Sequence, residues 1–357
     1  MLKIGLIGGD GIGPEVCEQG LRCVDVLTKK HGFEIQVTEL PYGGQRYLDE
    51  GKVIDDDEVQ ALKDYDALYL GAVGRPDVAP GIVERGLLLK MRFDLDQYIN
   101  LRPVQLYPGI DTPLANKTAD HINMIVVREN TEDLYCGVGG FLRKGTQHEV
   151  ATQEMIATRM GVERCLRYAF ELARTRPRKH LTLVGKTNVL TFAHNLWARA
   201  FDEIGEEYPD IERLYHHVDA CCMYMVATPE IYDTVVTTNM FGDIITDLGA
   251  AIAGGMGVAA SGNLNPDGTA PSMFEPVHGS APDIAGQGKA NPIAAIASVA
   301  MLLKETGRIK GVDGAVAAGT ELEEAVARTC PKFAGQRLDR LTQSTSEVAD
   351  MVISELG

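Results

Sequence analysis

The 357-residue chain is 45% hydrophobic and 24% charged, with a formal net charge of -16. This is an ordinary globular composition, on a length that calls for two lobes, since single cores stop growing near roughly 250 to 300 residues. The negative balance, with no cluster of lysines and arginines, disfavours nucleic acid as a partner, and no run approaches the roughly 18 apolar residues of a membrane helix.

The start of the chain carries no signal-peptide pattern. The cysteines (Cys17, Cys23, Cys136, Cys165, Cys221, Cys222 and Cys330) are scattered and form no C-x-x-C pair. Reduced thiols and a cytoplasmic location are therefore expected.

Residues 2–7 (LKIGLI) have the short apolar character of a buried strand. The turn Gly8-Gly9-Asp10-Gly11-Ile12-Gly13 follows, and Pro14 opens a helix where the first turn tolerates a missing N–H. Counted from Gly9 the glycines read G-x-G-x-G rather than G-x-G-x-x-G. The turn is then a tight backbone reversal or a ligand loop, but not a dinucleotide fingerprint.

Further strands are predicted at 67–73, 123–129, 181–186 and 232–239, with helices over Glu154 to Arg174 and Ala295 to Thr306. The alternation implies an α/β protein with a largely parallel sheet. Residues 258–276, rich in Gly, Asn and Pro, are predicted to form a long ordered loop.

Three arginines are candidates for anion binding: Arg92, Arg102 and Arg128. Arg128 ends an apolar strand, at the edge where α/β sheets bind ligands. Guanidinium forks grip carboxylates in pairs of hydrogen bonds, so convergence of the three would imply a substrate with more than one carboxylate. Tyr135 and Lys186, each just past a strand, are candidates for proton transfer. Asp243 and Asp247 lie four residues apart on one helical face. They are either acids favoured by a helix start or, with Asp219 at another strand end, oxygen ligands for magnesium or manganese.

These pieces stand in an order that resembles the β-decarboxylating dehydrogenase family, which comprises the isocitrate and isopropylmalate dehydrogenases with their homoisocitrate, D-malate and tartrate relatives. The resemblance is carried by GGDGIGPEV (8–16), LGAVG (70–74), ERGLLLKMR (84–92), NLRP (100–103), VRENTEDLY (127–135), GKTNV (185–189), VDA (218–220), TTNMFGDIITD (237–247) and EPVHGSAPDIAGQGKANP (275–292).

It implies a two-domain α/β fold distinct from the Rossmann fold. A discontinuous cofactor domain (1–102 and 252–357) would join a substrate and dimerisation domain (103–251), with active sites shared in a homodimer. By motif, Asp243 and Asp247 would bind Mg2+ or Mn2+ with Asp219 from the second subunit. Arg92, Arg102 and Arg128 would hold carboxylates, and Tyr135 with Lys186 would be the catalytic pair. Val73, Glu84, Asn188, His278, Gly279, Ser280, Ala281, Asp283, Ile284 and Asn291 would bind the cofactor.

The chemistry implied is oxidation of a 2-hydroxy diacid at C2, loss of CO2, and protonation at C3. Asp283 can accept from an adenosine 2'-OH and would repel a 2'-phosphate, which favours NAD. Leu88 and Leu89, at the position of the family's apolar pocket, favour 3-isopropylmalate and a place in leucine biosynthesis. The segments RENTEDLY and DQYINLRP are closer to the isocitrate, homoisocitrate and tartrate branches, so isocitrate, homoisocitrate, D-malate or tartrate, or a specialised 3-substituted malate, stay open as alternative substrates. A catalytically silent subunit is the rival from outside the enzymes.

Overall fold

The computed structural model describes residues 1–338 and 341–357 of the chain. It runs β1 (Leu2–Gly9), α1 (Gly13–His31), β2 (Ile35–Glu39), α2 (Gly44–Glu50), α3 (Asp56–Ala61) and β3 (Ala67–Ala72), then a π-helical stretch at Glu84–Leu89 that passes directly into α4 (Lys90–Asp94). It continues through β4 (Ile99–Gln105), β5 (Asn123–Glu129), β6 (Gly139–Leu142), β7 (Val150–Gln153), α5 (Arg159–Thr175), β8 (His180–Gly185), α6 (Ala193–Gly205), β9 (Glu212–His217) and α7 (Val218–Ala227). The remainder is β10 (Thr234–Thr237), α8 (Asn239–Ile252), β11 (Ala260–Leu264), β12 (Ser272–Pro276), α9 (Ile293–Lys310), α10 (Asp313–Thr329) and α11 (Thr345–Ile353).

Ten strands form one sheet in the order β2-β1-β3-β12-β11-β4-β5-β10-β8-β9, and β6 with β7 forms a separate exposed hairpin. Most neighbours in the large sheet are parallel. The antiparallel pairs are β12–β11, β11–β4 and β4–β5. The α/β expectation holds. The sheet runs unbroken across the predicted domain cuts, which fall inside β4 and at the last residues of α8.

Two local expectations are corrected. Residues 258–276 are not one loop: β11 and β12 pair within them, every strand residue is buried, and outside the strands lie 258–259 and the link 265–271. Their Gly and Asn serve the sheet interior. A Cβ on Gly262 would lie 2.9 Å from the Met301 sulfur, and Asn263 donates to Glu275 at 2.8 Å.

The helix predicted from Glu154 begins only at Arg159, because the Thr158 hydroxyl accepts from Gly161 N–H (3.0 Å) and caps it. Upstream, Ile156 is held extended by a bridge to Asp133. The predicted strand 232–239 is also shorter at both ends. Its last two residues, 238 and 239, become the N-cap and first residue of α8.

Candidate active site

Arg92, Arg102 and Arg128 converge on the carboxyl end of β5 although they come from α4, β4 and β5. They are 7%, 8% and 1% exposed, against the general rule that arginine stays at the surface. Burial lowers the pKa of Arg102 to about 10, with the charge of Arg128 adding to the effect, and lowers Arg92 in the same way. Three cations are thus held close together at a cost that an anionic ligand would offset.

Side chains from α8 and from the sheet aim them. Arg128 forks onto Asn239 Oδ1 (3.0 and 2.7 Å) and ion-pairs with Asp243. Arg102 donates to Asn100 Oδ1 at 2.7 Å. Asn100 donates to Asn263, Asn263 to Glu275, and Glu275 accepts from Arg92 at 3.3 Å, so one buried polar chain ties two of the arginines together.

Asp243 and Asp247 face this group from α8, as the spacing predicted. Burial raises the Asp243 carboxyl, but Arg128, Tyr135 and Arg102 outweigh it and the net shift is downward. Asp247 is shifted upward by burial and then by the charge of Asp243. Among the described residues Asp247 has no hydrogen-bond donor, which suits an oxygen ligand left for a hard cation.

The Tyr135 hydroxyl donates to Asp243 Oδ2 at 2.8 Å, and Arg128 lies over its ring. Burial, opposed by Arg128 and aided by Asp243, raises the pKa of this phenol, so it carries its proton at neutral pH.

The turn that delivers Tyr135 is strained. Asp133, 2% exposed, has φ 68° and ψ -150°, a region almost reserved for glycine. Its carboxylate accepts from Leu134 N–H (2.7 Å) and from Met240 N–H (2.8 Å). It therefore supplies the cap that Thr238 does not give α8.

Lys186 and Asp219 are elsewhere. Lys186 donates to Asp219 Oδ1 at 2.6 Å, a bond that, first among the causes, lowers the Asp219 carboxyl. Asp219 does not join Asp243 and Asp247: among the described residues no three His, Cys, Asp or Glu side chains are gathered as a metal group.

Of the residues predicted for the cofactor, a first set meets around the Gly-rich turn. Ser280 O accepts from Ile12 N–H (2.8 Å), and Ser280 Oγ donates to Gly74 O (2.6 Å), beside Val73. Glu84 accepts from Gly81 N–H (2.9 Å) and lies near Gly74. Gly11, at φ 59°, has no room for a side chain, since a Cβ would lie 2.0 Å from Ser280 O. The glycines here serve close backbone approach, which favours the tight-turn reading over a ligand loop.

In the loop after β12, Gly279 and Asp283 are exposed, Ile284 is half-buried and Ala281 has φ 37°. His278 Nε2 is buried with no partner among the described residues. Asn291 is taken up structurally, donating to Leu338 O (3.1 Å) and accepting from Ile293 N–H (3.0 Å). Asn188 stands exposed beyond β8, beside Lys186. Leu88 and Leu89 are half-buried in the π-helical stretch ahead of Arg92, a winding found often at functional sites.

Asn239, Asp133, Glu275 and the Asn100–Asn263 link were missed by sequence reasoning. Asn239 had a signal, an Asn at a predicted helix start; the others had none.

A family model described as isocitrate/isopropylmalate dehydrogenase matches residues 3–352. The chain is 52% identical over 356 residues to 3-isopropylmalate dehydrogenase of Thermobifida fusca, covering 100% of this chain and 98% of that protein. It is 49% identical to the enzyme of that name from Streptomyces coelicolor, covering 100% and 99%. The crystal structure of isocitrate dehydrogenase from Methylococcus capsulatus superposes with a TM-score of 0.86 at 34% identity, covering 100% of this chain and 99% of that one. The chain belongs to the isocitrate/isopropylmalate dehydrogenase family.

Proposed function

We propose that the protein oxidises and decarboxylates 3-isopropylmalate with NAD, giving 4-methyl-2-oxopentanoate and CO2, a step of leucine biosynthesis in the cytoplasm. The observation that carries the reading is the convergence of three buried arginines on two acids and a protonated tyrosine. It suits a dianionic substrate beside a divalent cation, and the 3-isopropylmalate dehydrogenases at about half identity align with this chain over 98% and 99% of their own length.

Arg92, Arg102 and Arg128 hold the two carboxylates and fix C2 and C3. Asp243, Asp247 and a second subunit's Asp219 hold Mg2+ or Mn2+. His278, whose buried Nε2 needs a partner, with Gly279, Ser280, Ala281, Asp283 and Ile284 beyond β12, suits the adenosine half of NAD. Val73, Glu84, Asn188 and Asn291 are the further cofactor residues of this reading. A bound cation would supply Lewis-acid polarisation at the substrate's C2 oxygen, and NAD would supply the hydride acceptor.

Lys186 accepts the C2 hydroxyl proton. Oxidation leaves a carboxylate β to a carbonyl, an arrangement that sheds CO2. Tyr135 then supplies the proton that C3 requires. Leu88 and Leu89 form the wall that takes an isopropyl group and disfavours the third carboxylate of isocitrate.

In this reading Lys186 is supplied by a second copy, since within its own chain it donates to Asp219 and, among the described residues, has no hydrogen bond or ion pair with Tyr135 or Asp243. Exposed apolar residues favour such a homodimer: Phe141, Leu142 and Val150 on the hairpin, Met223 on α7 and Ile244 on α8. The two-domain division at 102 and 252 belongs to the same proposal. The test is equal release of NADH and CO2 from 3-isopropylmalate with Mn2+, abolished by a chelator. NADH without CO2, or turnover unaffected by chelation, would refute it.

A further inference from the structure

Lys186 is the first residue past the β8 ladder, which pairs with β9 only as far as Gly185. Its peptide N–H and that of Thr187 therefore have no strand partner, and two side chains take them. Lys186 N–H donates to His194 Nδ1 at 3.0 Å, and Thr187 N–H to the Tyr215 hydroxyl at 3.0 Å. The Lys186 carbonyl accepts from Leu190 N–H (2.8 Å), and the Leu190 carbonyl accepts from His194 N–H (3.1 Å). Both peptide groups of the lysine are thereby tied to the start of α6.

The chain leaves room for this ring. His194 is 1% exposed, and its centroid lies 5.2 Å from that of Phe241 on α8. Gly185 is without a side chain where a Cβ would sit 3.0 Å from His194 Nδ1 and 3.2 Å from the Tyr215 ring. An Nδ1 that accepts places the ring proton on Nε2, and that nitrogen is buried with no partner among the described residues. Burial, against the pull of Asp133, lowers the imidazole to about 4. The ring is then a neutral acceptor throughout the neutral range.

We propose that His194 is a positioning residue: by accepting the Lys186 peptide N–H it fixes the direction in which the lysine leaves β8 towards the second subunit's site. The inference rests on the reading of Lys186 as the proton acceptor. A base displaced by about 1 Å loses on the order of 100-fold in rate, while groups that only bind substrate are untouched.

The amide geometries of Asn and Gln allow a direct test. Asn places an oxygen where Nδ1 stands, Gln reaches towards Nε2, and Phe keeps the ring volume with no acceptor. His194→Phe and His194→Gln are expected to lower kcat about 10-fold to 100-fold with the KM values for NAD and substrate within about twofold. His194→Asn is expected to recover most of kcat. Melting temperatures of all three separate this pattern from poor folding.

Equal kcat in the Asn and Gln variants, a loss in KM rather than kcat, or losses that follow melting temperature would overturn the proposal. A Lys186→Met enzyme with undiminished kcat would instead refute the reading of Lys186 itself.

Discussion

The hydroxyl of Tyr135 donates to the same Asp243 carboxylate that pairs with Arg128, the oxygens lying 2.8 Å apart for Tyr135 Oη and Asp243 Oδ2. One acid thus orients the proton donor and shares the arginine that grips substrate. Tyr135→Phe removes the proton and leaves the arginines in place. The expectation is a fall in kcat of about 100-fold to 10,000-fold, the usual worth of a general acid, with substrate KM little changed. Steady-state NADH formation checks it; a large rise in KM at wild-type kcat would mean that Tyr135 binds rather than protonates.

A site that joins Asp243 of one chain to Lys186 and Asp219 of a second predicts complementation between dead variants. Lys186→Met and Asp243→Asn are each expected to be inactive. Unfolded together and refolded, they should form mixed dimers with one intact site each. In a statistical mixture of two-fold dimers this restores about a quarter of wild-type activity. Recovery of no activity from well-folded mixed dimers would contradict the shared site.

Asp133 carries two opposing contributions, a strained φ of 68° and a cap on α8. Asp133→Ala loses the cap and keeps the strain, so it should cost about 1 to 3 kcal/mol. Asp133→Gly loses the cap but relaxes the backbone, and should be the milder variant by about 1 kcal/mol. Denaturant unfolding of both decides; equal losses would mean that the strain is not stored in this residue.

Glu129 gives the fold a pH dependence. Burial raises its carboxyl from 4.5 to about 7, although Thr131 and Glu132 N–H groups donate to it. The folded state then keeps a proton that the unfolded chain has already released. This contribution is full below about pH 4.5 and is lost as pH rises through about 7, amounting to on the order of 3 kcal/mol. Glu129→Gln should be less stable overall, because its amide faces a donor, yet should lose less stability between pH 5 and pH 8. Melting curves across that range test the slope, and an unchanged slope would remove Glu129 as its source.

The readable parts of this site were those set by spacing within one element. Asp243 and Asp247 share a face because a helix repeats, and Arg128 lies near the end of β5 because the apolar run stops just before it. What escaped depends on strands distant in sequence. The link Arg102–Asn100–Asn263–Glu275–Arg92 exists only once β11 pairs with β4 and β12. The same pairing turned a segment that looked like a loop into the sheet centre, since Gly and Asn signal turns locally but can fill a crowded interior. His194 was illegible for a similar reason, because its role depends on Gly185 leaving space.

The most direct measurement is kcat/KM for NAD reduction by the purified protein with Mn2+, compared across 3-isopropylmalate, isocitrate, homoisocitrate, D-malate and tartrate. The account predicts a preference for 3-isopropylmalate of at least about 100-fold over isocitrate, since a leucine wall would have to desolvate a third carboxylate. Equal or better turnover of isocitrate would contradict it.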